Sequence, residues 1–314
     1  MRLRVAGLAT FLMLTVFARG QALHSEAKFD TPVAIDHAIA CDNGSRIFGI
    51  GKEEAIYAWT AGKSEPRKIS LAEGRPEALA CAGRTVAAGF GNGKIVIVDG
   101  DKGEVKLRLD AKSSMWGLTL SPEATFVAVA TTGSPTQVFD TRTGQRVSVG
   151  RTSFGGSTSA TFSPKGDLLL STDDDTNVRA YGRNGKLLYS AEAGPLEPFA
   201  AAFTGDGQRF VVATADGAMS SYESTSGKRL RATHSTGNPI FAIQMFPDSQ
   251  HVAAFELDPF TLKPIAVGVW DMQSDHWQKL DVDPETVIGC GADGTHLLLV
   301  RRTGTNTFTL DSVR

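Results

Sequence analysis

Residues 160–182 read ATFSPKGDLLLSTDDDTNVRAYG, and this stretch decides the fold. The apolar residue Phe162 precedes a Ser-Pro-Lys-Gly turn, and the β-rich run 168–172 follows. A polar turn leads to a second apolar run at 178–181, and a glycine turn at 184–188 closes the unit. Short apolar runs bounded by turn residues predict strands rather than helices. The unit is therefore predicted to be a small sheet of four short strands.

The same order of strands and turns recurs along the chain. The last residue of each unit's first strand gives a marker position that repeats at intervals of 40, 39, 42, 41, 42 and 45 residues. The markers are Cys41, Cys81, Leu120, Phe162, Phe203, Met245 and Cys290. A period of about 40 residues with four short strands per unit is typical of β-propellers, whose blades surround a central channel. We predict an all-β fold, a seven-bladed β-propeller of four-stranded antiparallel blades.

The last unit is incomplete at the end of the chain. After Cys290, residues 296–300 and 307–310 supply two strands, and the outer strand of the unit is missing. Residues 27–30 form a strand-like segment that belongs to no other unit. Pairing the two chain ends would leave no large sheet edge exposed. We therefore expect an N-terminal strand to close the ring.

The repeat resembles the WD-repeat family of propellers, with some features of the bacterial YVTN-type propellers. The resemblance covers nearly all of the chain after the N-terminal segment. It rests on the segments Phe162-Ser163-Pro164-Lys165-Gly166, Val269-Trp270-Asp271, Val138-Phe139-Asp140 and Asp140-Thr141-Arg142-Thr143-Gly144. One unit alone ends in Trp-Asp, and the Gly-His dipeptide of the family is absent from the sequence. The resemblance therefore implies the architecture rather than the family's His-Asp-Trp hydrogen-bond network.

The first 22 residues have the order of a secretory signal peptide. Arg2 and Arg4 carry positive charge, residues 5–17 are almost wholly apolar, and small residues follow at 18–22. The apolar run is shorter than the roughly 20 residues that cross a bilayer, and no cysteine follows it to take a lipid. We predict a signal peptide at 1–22 and one propeller domain at 23–314. The mature protein is then secreted or periplasmic and has no membrane anchor.

Composition and motifs argue against several classes of function. A net charge of −2 lacks the basic excess that nucleic-acid binding needs. The sequence contains no metalloprotease helix, paired-cysteine zinc pattern or nucleophile elbow. Asp173, Asp174 and Asp175 offer oxygen ligands for Ca²⁺, but the glycine-centred loop and distant glutamate of a calcium loop are missing. We expect no metal and no cofactor.

The three cysteines occupy marker positions in units that are neighbours around a closed ring. In an oxidising compartment, a disulfide between Cys41 and Cys81, or between Cys41 and Cys290, would join adjacent blades. The alternative is that the position takes a small buried apolar residue, which free cysteine can provide. We favour this alternative because apolar residues fill the same position elsewhere: Leu120, Phe162 and Met245.

The mouth of the channel is the first candidate site. Residues four before each marker open the inner strands, and they are His37, Glu77, Trp116, Thr158, Phe199, Phe241 and Thr286. Charged groups beside aromatic rings suit a peptide or a small polar ligand. We predict a ligand site formed by His37, Glu77, Trp116, Phe199 and Phe241. The alternative is that the aromatic rings only fill space between blades.

A long loop in the sixth unit is the second candidate site. Residues 256–264 extend beyond their counterparts and carry Leu257, Phe260 and Leu262 together with two prolines. Insertions in repeats fall on loops and often contact partners. We predict that these three residues bind a partner; a tolerated insertion without function is the alternative.

A binding scaffold is the function we expect. A rigid monomeric ring would present its loops and channel mouth to a protein or peptide partner without catalysis. The YVTN-type resemblance implies an alternative, a lactonase-type hydrolase that uses His, Glu and Arg around the channel. In this chain His37 and Glu77, with Arg75 or Arg151, would fill those roles. The fold alone does not decide, because function depends on the site that the fold carries.

Overall fold

The computed structural model describes residues 23–61, 63, 65–147, 155–234 and 237–313. The predicted signal peptide lies outside these residues. The described chain forms seven four-stranded antiparallel sheets, with the inner strands of successive blades side by side around a channel. The predicted seven-bladed propeller is confirmed. None of the helices in the described ranges is both long and apolar enough to cross a membrane.

In blades one to six the chain runs from the inner strand at the channel to the outer strand at the rim. Blade one contains β2 (Ile35–Cys41), β3 (Arg46–Gly51), β4 (Ala55–Thr60) and β5 (Arg67–Ser70). Blade two contains β6 (Ala78–Ala82), β7 (Thr85–Gly89), β8 (Lys94–Asp99) and β9 (Glu104–Asp110). Blade three contains β10 (Met115–Leu120), β11 (Phe126–Thr131), β12 (Ser134–Asp140) and β13 (Arg146–Val147).

The same order continues through the second half of the ring. Blade four contains β14 (Ser157–Phe162), β15 (Leu168–Asp173), β16 (Asn177–Gly182) and β17 (Leu187–Glu192). Blade five contains β18 (Pro198–Phe203), β19 (Arg209–Thr214), β20 (Ala218–Glu223) and β21 (Arg229–His234). Blade six contains β22 (Ile240–Met245), β23 (His251–Leu257), β24 (Pro264–Asp271) and β25 (His276–Lys279). A 3-10 helix (Pro284–Thr286) leads into blade seven, whose inner three strands are β26 (Val287–Ala292), β27 (Leu297–Gly304) and β28 (Thr307–Val313).

The two ends of the chain share blade seven and close the ring. Strand β1 (Leu23–Asp30) pairs with β28 along its whole length and forms the outer strand of the blade. The Phe29 ring stacks on Phe308 at a centroid distance of 5.0 Å, and the Trp59 ring of blade one meets Phe308 edge-on at 5.0 Å. Closure by an N-terminal strand is therefore confirmed, with a strand that begins earlier than the predicted residues 27–30.

The middle strands of the blades form the core. Residues 127–130 of β11 are completely buried, as expected for a strand that packs against neighbouring blades on both faces. The largest fully buried side chains include Trp59 and Trp270, and the indole nitrogen of Trp270 donates to Asp275 at 3.0 Å. The near-continuous apolar runs of the sequence are thus explained by blades that stack face to face.

An aspartate ends the third strand in several blades and holds the turn that follows. The Asp140 carboxylate accepts from the backbone nitrogens of Arg142 at 2.8 Å and Thr143 at 2.9 Å. In blade two, Asp99 accepts from the backbone nitrogens of the corresponding turn and lies 3.0 Å from Lys106 Nζ. Burial alone would raise the pKa of Asp99, but Lys106 and the backbone N–H groups lower it to about 2. The ionised carboxylate is therefore part of the folded state.

Asp99→Asn is expected to lower the free energy of unfolding by about 1–2 kcal/mol at neutral pH. The folded-state pKa lies below the usual 3.8, so the stabilisation is complete above about pH 4 and is lost as the pH falls toward 2. Urea unfolding at several pH values should show the variant and wild type converging in acid. Asp281→Asn, at an exposed carboxylate, is the control. A difference that stays constant down to pH 2 would contradict this account.

Candidate functional site

A cavity opens at one face of the ring, and we call that face the mouth face. Inner strands begin there, and the hairpins between second and third strands turn there, because neighbouring strands are antiparallel. The cavity has a volume of about 730 Å³ and is lined by the inner strands of blades three to six, β10, β14, β18 and β22. We call it the mouth cavity. Its size falls in the range of about 300–1,000 Å³ that is common for ligand sites.

Aromatic side chains reach the mouth cavity because the inner strands carry a one-residue bulge at their start. In the pairing of β10 with β11, Met115 and Gly117 lie opposite two consecutive residues of β11. Trp116, between them, is therefore an extra residue without a partner. The same shift occurs in blades five and six, where Phe199 and Phe241 are the extra residues. A bulge of this kind turns a side chain away from the regular alternation.

The rings at these bulges are accessible to a partner. Trp116 is 58% exposed and Phe241 is 45% exposed, so neither ring merely fills space between blades. Phe199 is half-buried, and its ring centroid lies 5.7 Å from that of Phe241. All three line the mouth cavity. Their role in binding stays a prediction, but the structure brings them together.

His37 and Glu77 do not line the mouth cavity. In blade one the extra residue of the bulge is Asp36, and His37 is the next residue along the strand. A shift of one residue moves a side chain to the other face of a strand. The His37 ring is half-buried, and desolvation lowers its pKa. Glu77 precedes β6, which pairs with β7 without a shift, and its carboxylate lies against Gly91.

The inner strands of blades seven, one and two pack closely beside one another. A Cβ added at Gly289 of β26 would overlap the carbonyl oxygen of Ala38 on β2. A disulfide joins Cys41 of β2 to Cys81 of β6, with their Cα atoms 6.3 Å apart. The prediction that Cys41 and Cys81 are free, small apolar residues is therefore wrong. Of the two disulfides considered, the structure contains Cys41–Cys81. These contacts keep this half of the ring tight, while the mouth cavity lies in the other half.

Cys290 is free and points away from the disulfide. Its Sγ lies 3.9 Å from Gln244 Oε1 and packs with the core between blades six and seven. Burial raises the pKa of the Cys290 thiol to about 12. Cys290 is therefore a free cysteine packed against the core, as the alternative predicted, but it is half-buried rather than buried. Its thiol is a poor nucleophile at neutral pH.

The blade-six loop, residues 258–263, joins β23 to β24 on the mouth face. The Asp258 carboxylate holds its turn by accepting from the backbone nitrogens of Phe260 at 3.0 Å and Thr261 at 2.7 Å. Phe260 is 93% exposed and Leu262 is 70% exposed. Leu257, half-buried at the base, donates its backbone N–H to Pro239 at 2.9 Å, close to the start of β22. The loop therefore leaves the sheet beside Phe241, and the two predicted sites share one face.

The acidic run of blade four does not form a calcium loop. Arg179 is buried between Asp173 and Asp175 and makes ion pairs with both. The carboxylate of Asp174 turns outward and accepts from the backbone nitrogen of Gly156 at 2.8 Å. Within the described ranges, no group of three or more His, Cys, Asp or Glu side chains has the arrangement of a metal site.

Two acidic residues of the mouth cavity were not predicted as site residues. Asp174 lies in the turn between β15 and β16, and Glu197 lies in the loop before β18. Both are exposed. Their positions in the repeat could have identified them, because turns after second strands and loops before inner strands all lie on the mouth face. From the sequence, Asp174 stood out only as a possible calcium ligand, and Glu197 did not stand out.

The repeat, the seven blades and the closed ring define a β-propeller of the WD-repeat type. A family model described as outer membrane protein assembly factor BamB matches residues 20–181, slightly more than half of the chain, and the protein belongs to that family. A second model, described as the anaphase-promoting complex subunit 4 WD40 domain, matches residues 160–246.

A solved structure shows how far the fold is shared. The β-propeller domain of Cps50 (Swd1) from Myceliophteria thermophila matches with a TM-score of 0.78 and 13% sequence identity, over 93% of this chain and 100% of that one. At this identity the likeness concerns the fold alone. The comparison with curated proteins finds no match.

Proposed function

We propose that this protein is an exported, non-catalytic scaffold that binds a protein partner through its mouth face. The observation that carries the proposal is the grouping of accessible apolar side chains there. Trp116 and Phe241 stand exposed at the mouth cavity, and Phe260 and Leu262 stand exposed on the adjacent loop. Large exposed apolar side chains that cluster on one face mark interaction sites.

A macromolecular partner explains this surface better than a small ligand does. A small ligand would occupy the mouth cavity but would leave Phe260, 93% exposed, without a role. An extended polypeptide can fill the cavity and also cover the loop. Aromatic residues contribute strongly at the centre of protein interfaces because they bury a large area at a low cost in conformational entropy. The mouth cavity and the blade-six loop are then two parts of one interface.

Export is part of the proposal. The basic, apolar and small-residue order of the first 22 residues is typical of a signal peptide. The Cys41–Cys81 disulfide supports the same compartment, because such bonds persist in the periplasm and outside the cell and are rare in the cytosol. We expect the mature protein to act as a monomer, without a membrane anchor and without binding nucleic acid.

The absence of catalysis is likewise proposed. The lactonase-type alternative assigned His37 and Glu77 to the chemistry, with Arg75 or Arg151. His37, Glu77 and Arg75 belong to blades one and two, whereas the mouth cavity belongs to blades three to six. Arg75 donates hydrogen bonds to the Asp36 carboxylate at 3.0 Å and to the carbonyl oxygen of Gly51 at 2.7 Å. Arg151 lies outside the described residues.

Trp116→Ala combined with Phe241→Ala is expected to weaken partner binding by about 30-fold or more. The partner would be captured from the envelope fraction of the exporting cell with the mature protein, identified, purified and titrated against each variant. Leu188→Ser is the matched control, since Leu188 is 52% exposed but lies at the opposite end of blade four. Equal affinities for wild type and the double variant would overturn the proposal.

A further inference from the structure

The charged residues that line the mouth cavity are all acidic. Asp174 and Glu197 are its charged lining residues, and no lysine or arginine of the described chain lines it. Their exposed carboxylates make no ion pair with a lysine or arginine within the ranges that the structure describes. Asp174 is held in place by the backbone N–H of Gly156 at 2.8 Å. The cavity therefore presents negative charge beside aromatic rings.

Two other carboxylates on the mouth face, those of Asp36 and Glu73, have cationic partners within the protein. Asp36 pairs with Arg75 at 3.0 Å in blade one. Glu73 is bound by Lys94 at 2.7 Å and also by Arg108 at 3.2 Å. Asp36 and Glu73 are thus neutralised within the protein, whereas the two acids of the open cavity remain available to a cationic group from outside.

We propose that the mouth cavity binds a lysine or arginine side chain of the partner. This inference rests on the proposed function and adds the chemistry of the residue that is recognised. A cation over the face of Trp116 or Phe241 is attracted by the ring, and tryptophan is the most favourable ring for such a contact. The two carboxylates add Coulomb attraction, which is stronger beside protein than in bulk water. The cationic side chain enters the cavity while the rest of the segment crosses Phe260 and Leu262.

The test is a selection of random nonapeptides displayed on phage against the full mature protein. The matched variant Asp174→Asn with Glu197→Gln removes both charges and keeps the acceptor oxygen toward Gly156. A second variant, Glu192→Gln with Asp281→Asn, removes the same charge at exposed positions outside the cavity. Thermal unfolding of each variant shows that it is folded. We expect lysine or arginine to be enriched at one peptide position with wild type and with the second variant, and the enrichment to disappear with the first.

The selected peptide then shows how much its basic side chain contributes to binding affinity. Replacing its arginine by the neutral isostere citrulline should weaken binding to wild type by about tenfold and leave binding to Asp174→Asn with Glu197→Gln nearly unchanged. Enrichment of apolar residues without a basic position would overturn this inference and leave the proposed function standing. Selection of no peptide at all would count against both. A basic preference that survives in the charge-neutral variant would place the cation elsewhere and would also overturn the inference.

Discussion

Replacing both Cys41 and Cys81 by serine is expected to lower the free energy of unfolding by about 4 kcal/mol. The disulfide closes a loop of 40 residues, and a cross-link of that span removes much of the conformational freedom of the unfolded chain. It also joins the inner strands of blades one and two beside the blade that closes the ring. Chemical denaturation of wild type and the double variant under oxidising conditions measures the difference.

Reduction and thiol counting provide the controls for this prediction. Dithiothreitol should destabilise wild type by the same amount and should leave the double variant unchanged. Iodoacetamide should modify no cysteine in the native protein at neutral pH, because the half-buried Cys290 packs against the core and desolvation raises its thiol pKa to about 12. Denaturation without reductant should expose one thiol, and reduction should expose all three. Three reactive thiols before reduction would contradict the disulfide.

The repeat could be read from the sequence because its signals are local. Short apolar runs and turn residues recur at nearly constant spacing, and each blade needs the same strands and turns. The closure of the ring was also predictable, since blade seven lacks a strand and residues near the N-terminus supply one. Both features depend on which residues form strands and not on how strands pair.

The site was predicted less well because it depends on strand register. Trp116, Phe199 and Phe241 reach one cavity because a bulge follows the first residue of each of their strands. In blade one the same bulge falls on Asp36, and the prediction of His37 missed it by one residue. A single sequence shows which residues form a strand but not the extra residue that pairing leaves out.

Blade seven shows the same difficulty in its strand boundary. The repeat predicts Cys290 as the last residue of the inner strand, but β26 continues to Ala292, and β6 likewise extends one residue past Cys81. The sequence Gly289-Cys290-Gly291-Ala292 offers no large apolar residue to mark the end of the strand. Consequently Thr286, which was counted four residues before the marker, lies in the 3-10 helix. Small residues occur here because blades seven and one approach each other so closely.

The close approach of blades seven and one makes Gly289 sensitive to substitution. Gly289→Ala is expected to lower the free energy of unfolding by about 3 kcal/mol, the upper part of the usual range for overpacking. The added methyl group would overlap the backbone carbonyl oxygen of Ala38, so relief requires movement of a whole strand rather than of a flexible side chain. Urea denaturation of the variant and wild type measures the loss.

Gly117→Ala is the matched control for this prediction. Gly117 and Gly289 are equivalent, because each directly follows the extra residue of a bulge in its inner strand. A Cβ at Gly117 meets no atom within 4 Å, and the residue lines the mouth cavity. Alanine there should be neutral or slightly stabilising, since glycine is the costlier residue in a strand. Equal losses at both positions would contradict this account, because the overlap with a neighbouring backbone exists at Gly289 and not at Gly117. Loss at Gly289 alone would establish that the ring is closed tightly on one side and open on the other, which is the asymmetry that a binding cavity requires.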